Sequence, residues 1–542
     1  MPRVTFLAYN AGSMTKLRAF FHRHPVLWDV VRWSLPALAL GAFLRVLLLS
    51  YLPYAYWGSD SKSYYSFAHQ LLSRGDISLD EKRRYLYPIL MLPVSLLPGA
   101  PLRWVAVLQH LLGLISVLPL AYVVRKSLRF WKWWIVPVTV AYAGLPVFLW
   151  YEHELLGEAF FFAMFLWTFG GWVAWATQTD PARARRLFWW FFVPLALFLL
   201  TKPSGRFILP GLVCGLLFLR AWRVLDWRRW LALVLLLGAT LTVGSKKQGA
   251  WLLYVATFPL TQLNTPANAE YKEELRPYAE PYIRDIDAYY RLDRQESKDH
   301  PAPFDFLETP SEETAPPLWG ALDRDPQKKR QLYLSLALEG MKARPLDFLY
   351  LGLERLVASA PMSEFDLKKR FVSAGYAKRQ QGSYSGAQKD QADNKSTSVP
   401  MAFGLPKNAP LPPYEELSPR ITPAPGGWAE NTVVAWCHAV QHAGDIVTLP
   451  KPKADAPASE WAVTRAHITV LGWWLIGSVV LSLIYWRTLG TWVLAALGYL
   501  AGVFLISVVE TRYFALAWLV FLPVLAVPLD LLLRCILERR NA

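Results

Sequence analysis

Residues 35–65 read LPALALGAFLRVLLLSYLPYAYWGSDSKSYY. An apolar run gives way abruptly to aromatics, hydroxyls and a carboxylate. The apolar part belongs to a stretch, residues 33–53, that is long enough as a helix to cross the roughly 30 Å hydrocarbon core of a bilayer. Asp60 then stands in Trp57-Gly58-Ser59-Asp60-Ser61-Lys62-Ser63-Tyr64-Tyr65, at the mouth of that first span. A carboxylate is costly to keep close to lipid, and its presence there points to chemistry at the membrane surface.

The same pattern recurs along the chain. Apolar runs near 102–124, 134–151, 155–176, 187–201, 205–220, 229–245, 464–486, 490–509 and 513–534 predict further spans, ten in all with the first. Residues 86–98 and 250–260 are shorter and interrupted by proline, and read as interfacial or re-entrant pieces. The expected fold is therefore an all-α polytopic membrane bundle. Of the 542 residues 54% are hydrophobic and 26 are Trp, which sets the chain apart from soluble domains. The formal charge of +16 would suggest nucleic acid in a soluble protein; here Lys and Arg cluster in short loops between apolar runs, so nucleic acid is not an expected partner. The three cysteines, Cys214, Cys437 and Cys535, offer neither a disulfide framework nor a metal-spaced set. No small-residue cleavage site follows the first run, which reads as a signal anchor.

Basic residues orient the spans. Lys16, Arg18, Arg23 and Arg32, then Arg125, Lys126, Arg129 and Lys132, then Arg183, Arg185 and Arg186, then Arg220, Arg223, Arg228 and Arg229, and finally Arg487, Arg534, Arg539 and Arg540 fall on one side of a ten-span layout. The positive-inside rule makes that side cytoplasmic and places both termini there, in an inner (cell) membrane. Lys246-Lys247 is the weak point, since it must sit at the outer end of the seventh span. The expected organisation is a cytoplasmic segment 1–32, a transmembrane module 33–251 with a first outer loop 54–101, an outer region 252–463, and final spans with a cytoplasmic tail over 464–542. Helical periodicity over 327–360 is broken at Arg344-Pro345, and residues 375–427, rich in Gly, Ser, Lys, Gln and Pro, read as a mobile loop.

On the outer side the charges gather near span ends. The first loop carries Asp60, Lys62 and Arg83-Arg84 ahead of Tyr85-Leu86-Tyr87-Pro88. Later turns carry Glu152, His153, Glu154 and Glu158, then Lys202 and Arg206, then Glu510 and Arg512. Each has a plainer reading. Asp60 or Ser59 would cap a helix over 61–73; Glu152 and Glu154 would be solvated; Glu158 would pair with Lys202 or Arg206; those two bases would snorkel to headgroups; Arg512 would pair with Glu510; His153 would be a hydrogen-bonded turn residue. Four charged turns on one side suit group transfer from a lipid-linked phosphate. A carboxylate accepts a proton from an attacking hydroxyl, and Lys and Arg hold the departing anion.

These segments resemble the GT-C superfamily of integral-membrane glycosyltransferases, in particular bacterial relatives of protein O-mannosyltransferases and of lipid A aminoarabinose transferases. Gly58-Ser59-Asp60-Ser61-Lys62-Ser63-Tyr64-Tyr65 looks like the first-loop Asp segment of that superfamily. Arg84-Tyr85-Leu86-Tyr87-Pro88, Glu154-Leu155-Leu156-Gly157-Glu158, Thr201-Lys202-Pro203-Ser204-Gly205-Arg206 and Glu510-Thr511-Arg512-Tyr513 resemble four further landmarks. The resemblance implies juxtamembrane helices in the first outer loop, a polyprenyl-phosphate sugar as donor, a hydroxyl on a lipid, glycan or protein as acceptor, and inversion at the anomeric carbon. It casts Asp60 as base and Lys202, Arg206 and Arg512 as ligands of the donor phosphate. Glu154, Glu158, Arg84, Tyr87 and Glu510 become supporting or acceptor-side groups. No cofactor or catalytic metal is expected, although Asp60, Glu152, His153, Glu154 and Glu158 offer donors for a divalent cation. The chain departs from the family in lacking a second acid directly beside Asp60. A flippase for a lipid-linked saccharide, an O-antigen-ligase-like or polymerase-like enzyme using His438 and His442, and a non-catalytic assembly subunit are the alternative readings.

Overall fold

The computed structural model describes residues 24–58, 60, 61, 64, 65, 86–95, 97, 100–128, 132–219, 225–242, 246–291, 325–359, 370–392, 403, 405, 409–414, 416, 427–445, 470–506 and 511–541. Among them every element is helical, apart from one isolated bridge between Tyr56 and Glu154. The membrane part opens with α1 (Pro25–Tyr51), the short α2 (Leu86–Ser95), and α3 (Pro101–Ile115) running straight into α4 (Val117–Ser127). Then come α5 (Ile135–Gly144), α6 (Pro146–His153), α7 (Glu158–Ala176) and α8 (Pro181–Thr201). A 3-10 turn, Pro203–Ile208, leads into α9 (Leu209–Phe218), followed by α10 (Trp227–Thr242) and α11 (Lys246–Thr257).

Six helical stretches among the described residues are long and apolar enough to cross a membrane, seven if the bent pair Lys132–Gly144 and Pro146–His153 forms one span. This is fewer than the ten that the apolar runs predict. Residues 203–218 and α10 are helices of the right composition but limited length. The first span also starts earlier than expected, at Pro25, because proline suits a first helical turn and the apolar face extends back to Val30.

The bend of 47° in the third span has a local cause. Pro146 brings no N–H to the ladder, and Leu145 is extended at φ −62°, ψ 123°. Two of the carbonyls released there find side-chain donors: Arg45 Nη1 donates to Ala143 O at 3.1 Å, and Trp436 Nε1 to Gly144 O at 2.7 Å. Irregular backbone at this depth is tolerable only when satisfied in this way.

Small residues set the closest helix contacts. A Cβ on Gly171 would lie 2.3 Å from the Trp190 carbonyl, and one on Gly211 would lie 2.3 Å from Ala495 N, so α7 meets α8, and α9 meets residues 491–495, backbone to backbone. Gly211 and Gly215 form the small-x-x-x-small spacing that such contacts use.

After α11 come α12 (Ala269–Arg291), α13 (Pro326–Ala343) and α14 (Pro345–Ser359), the last two broken at Arg344-Pro345 as the periodicity predicts. Where composition suggests a mobile loop, the structure holds α15 (Ser373–Ala392). Composition misleads here because α15 draws its order from outside itself. Tyr376 and Tyr384 are buried, Tyr384 OH donates to Pro412 O at 2.8 Å, and Tyr414 OH donates to Ala377 O at 3.2 Å. The parts of 375–427 not named above lie outside the described residues. Next, α16 (Gly427–Asp445) packs across α1, with Cys437 buried and Trp436 reaching the break in the third span.

The chain ends in α17 (Val470–Ser482), α18 (Thr491–Ile506), α19 (Thr511–Val524) and α20 (Val527–Asn541). Between α17 and α18 the backbone tightens: a Cβ on Gly490 would lie 3.2 Å from Ser482 O and 3.3 Å from Leu483 Cα. Eight residues of straight helix would separate those groups by about 12 Å, so the chain departs from a straight helix at 483–490.

Side-chain contacts also define two ends of the bundle. Asp29 binds Arg125 at 2.9 Å and Lys132 at 3.8 Å, Arg229 lies over the Phe188 ring, and Trp172 Nε1 donates to Arg487 O, so basic loop residues share one end. The charged residues near Asp60 share the other.

Candidate active site at one end of the bundle

The segment that follows α1 is pinned by backbone bonds before any charge is considered. Tyr56 N–H donates to His153 O at 2.8 Å, and Leu155 N–H donates to Tyr56 O at 3.0 Å. Ser61 Oγ donates to Leu155 O at 2.9 Å and accepts from Gly58 N–H at 2.9 Å. These bonds set the Asp60 segment against the turn that leads into α7, whose first residue is Glu158. Lys202 follows α8 directly, and Arg512 lies in the first turn of α19.

The four charges meet. Arg512 Nη1 lies 3.4 Å from Asp60 Oδ2 and 3.4 Å from Glu158 Oε1, and Lys202 Nζ donates to the same Glu158 oxygen. Residues as far apart as 60 and 512 thus form one network of two acids and two bases. Their burial differs: the Glu158 side chain is 2% exposed and that of Asp60 is 32% exposed. Glu158 is an interior anchor for two cations, and its Oε2 has no hydrogen-bond partner among the described residues. Asp60 is the carboxylate that an incoming molecule can reach. The pairing of Glu158 with Lys202 is one of the plainer readings, and it holds, alongside a contact to Arg512 that the sequence did not suggest.

Glu154 sits beside this network without joining its ion pairs. Its Oε2 accepts from Trp150 Nε1 at 2.7 Å, and its Oε1 would lie 2.6 Å from a Cβ on Gly58. Far from being solvated, it is buried, and burial pushes its carboxyl up to about 7 against the opposing pull of Arg370 and the indole hydrogen bond, with Glu158 adding a further push. Tyr87 is fully buried; its hydroxyl donates to Gln109 Oε1 at 2.5 Å, and its ring packs edge-on against Tyr64. Arg206 lies apart: its guanidinium rests over the Phe207 ring, and it forms no ion pair among the described residues. Arg84 and Glu510, together with Lys62 and residues 66–73 of the expected capped helix, lie outside the described residues.

Beneath the site lies a second buried network, of which the sequence reading found only part. Arg45, in α1, grips Glu152 through two bonds of 2.7 and 2.6 Å. His110 Nδ1 lies 3.0 Å from Glu152 Oε2, and His110 Nε2 lies 3.2 Å from His153 Nδ1. Gln109 Nε2 donates to the carbonyls of Glu152 and Glu154 at 3.1 and 2.8 Å. Arg45, Gln109 and His110 hold the 152–154 turn in place and so position Glu154 and the start of α7. The available signal was Arg45 itself, a charge within an apolar span. Of the residues considered for a divalent cation, Glu152 commits both oxygens to Arg45 and His110, and Glu154 turns to Trp150. Among the described residues no three His, Cys, Asp or Glu side chains are grouped to hold a metal ion.

Helix α15 docks on the Tyr56–Trp57 segment that leads to Asp60. Arg379 Nε donates to Tyr56 OH at 3.1 Å, Tyr56 OH also bonds Ser383 Oγ at 2.7 Å, and Gln380 Oε1 accepts from Trp57 N–H at 3.2 Å. Arg370 stands 5.0 Å from the Trp150 ring centre, and burial lowers the affinity of its guanidinium for its proton.

Fold and site define an all-helical, multi-pass membrane protein with a mixed-charge cluster at one end of its bundle. Compared with protein families, with curated proteins and with solved structures, the chain matches none.

Proposed function

We propose that the protein is a membrane glycosyltransferase that moves a sugar from a polyprenyl-phosphate donor to a hydroxyl acceptor on the outer side of the membrane. The observation that carries this reading is the convergence of Asp60, Glu158, Lys202 and Arg512 from four separate segments. A partly exposed carboxylate paired with one of two cations that a buried carboxylate holds suits displacement at a phosphate-linked carbon. Asp60 takes the proton from the acceptor hydroxyl. The acceptor oxygen forms its bond to the anomeric carbon, and the bond from that carbon to the phosphate oxygen breaks with inversion. The electron pair leaves with the polyprenyl phosphate, whose charge Arg512 and Lys202 receive. Glu158 holds both cations in position before the donor arrives. Arg206 has no part in this step.

The GT-C-like layout is part of the proposal. Separation of basic loops from the acid-bearing turns, one group at each end of the bundle, supports cytoplasmic termini in a cell membrane and an outward-facing Asp60. The departure from straight helix at 483–490 supports two spans within the helical run 473–505.

The test separates binding from turnover, with undecaprenyl phosphate as the binding probe. Asp60→Asn is expected to retain the probe and lose transfer, and Arg512→Ala is expected to lose both. Full transfer by Asp60→Asn overturns the assignment.

A further inference from the structure

Helix α14 carries apolar side chains on two faces. Phe348, Leu351, Gly352 and Arg355 follow one another at helical spacing and are buried. Leu346, Leu349 and Leu353 form a second stripe, and they are 76%, 55% and 54% exposed. A helix on a soluble surface would turn polar residues outward there. The stripe therefore asks for an apolar cover.

The contacts of the buried face say where that stripe lies. A Cβ on Gly352 would stand 2.6 Å from Leu505 Cδ2 and 3.6 Å from its Cα, so α14 meets α18 closely. Leu505 is the last residue of a stretch, Trp473–Leu505, that is long and apolar enough to cross a membrane. Arg355 fastens the contact: its Nη2 donates to Ala256 O at 2.5 Å and its Nη1 to Phe504 O at 3.5 Å, carbonyls in the last turns of α11 and α18. The C-terminal ends of two helices thus face its charge. A helix rises 1.5 Å per residue, so at any tilt Leu353 and Leu349 lie within about 5 Å of the level of Gly352, and Leu346 within about 9 Å. The interfacial layer outside the hydrocarbon is about 5–7 Å deep on each side. Leu505 precedes Arg512 by a few residues, which puts this level at the Asp60 end of the bundle.

We propose that α14 is a membrane-interface helix whose stripe of Leu346, Leu349 and Leu353 sits in the acyl chains of the leaflet at the Asp60 end. Its inner face is clamped to the end of a span, and its outer face continues the lipid-facing surface of that span. A soluble partner would have to cover the leucines at a depth that headgroups occupy. The inference stands apart from the transfer reaction and uses none of the residues assigned to it.

The experiment places an environment-sensitive NBD label at Leu349→Cys, in the full-length protein lacking native cysteines, in nanodiscs that hold a single copy. The label is expected to be quenched by nitroxide-labelled phosphatidylcholine and shielded from aqueous iodide. Ser385→Cys, exposed on α15, is expected to show the reverse. Iodide quenching at Leu349→Cys overturns the proposal and leaves a soluble protein or a second copy as the cover. Equal lipid quenching at both positions also overturns it, because the label itself would then be seeking the bilayer. The label-free variant Leu346→Gln with Leu349→Gln and Leu353→Gln is expected to lower Tm in nanodiscs; a Tm unchanged or raised, as at positions that face water, overturns the proposal too.

Discussion

Gly113 gives the sharpest test of the packing beneath the site. It lies in α3, where helix propensity alone favours alanine by up to about 1 kcal/mol. The structure predicts the opposite sign. A Cβ at this position would lie 1.9 Å from Glu152 Oε1, 2.3 Å from its Cδ and 2.9 Å from Oε2. Carbon and oxygen need about 3.3 Å, so the carboxylate must retreat by about 1.4 Å. It has nowhere to go without loosening the 2.6 and 2.7 Å bonds from Arg45. Overpacking costs about 1–3 kcal/mol, and parting a buried ion pair costs about 3–5 kcal/mol. Partial relaxation and the propensity gain offset some of this, leaving Gly113→Ala destabilised by about 2–4 kcal/mol. The assay is thermal unfolding in lipid nanodiscs followed by intrinsic Trp fluorescence. Gly477→Ala is the control, because nothing lies within 4 Å of its added Cβ; its Tm should match or slightly exceed wild type. A Tm for Gly113→Ala at or above wild type would refute the account of the Arg45–Glu152 anchor.

Two further outcomes follow from the same region. Burial holds Glu154 near 7 in the folded protein, above its ordinary value of 4.5, so its contribution to stability is full below about 4.5 and is lost as pH rises through about 7; Glu154→Gln, which keeps an acceptor for Trp150, should remove that part of the pH dependence, and Tm–pH curves of equal slope for the two proteins would count against it. Asp60→Cys in a background lacking native cysteines should react in intact cells with a membrane-impermeant maleimide, whereas Lys126→Cys should react only after the membrane is opened; the reverse pattern would invert the topology.

Much of the membrane architecture is legible in the sequence because lipid imposes coarse rules: apolar length, basic loops and the cost of charge. Those rules single out Asp60, Glu158, Lys202 and Arg512, which the fold then brings together. They do not reveal which charges pair, since that depends on register. Arg206 stands four residues from Lys202 yet ends on an aromatic ring, while Arg512 reaches an acid 354 positions away. The network of Arg45, His110 and Glu152 is hidden for a similar reason: Arg45 and His110 lie in two different apolar runs and Glu152 just beyond a third, and their relation is spatial. Helix α15 is not legible from composition because its tyrosines and glutamines dock on Tyr54, Trp57 and Pro412. Composition alone records only that such a segment lacks a core of its own.

The central claim is that Asp60 activates an acceptor while Arg512 and Lys202 receive the donor phosphate. The most direct measurement is the release of undecaprenyl phosphate from an undecaprenyl-phosphate sugar in membranes that contain the acceptor, comparing wild type with Asp60→Asn at equal protein level and equal Tm. Loss of a positioned general base removes about 10²–10⁴-fold of rate, so release should fall by that factor with donor retention unchanged. Release at the wild-type rate from Asp60→Asn would contradict the account.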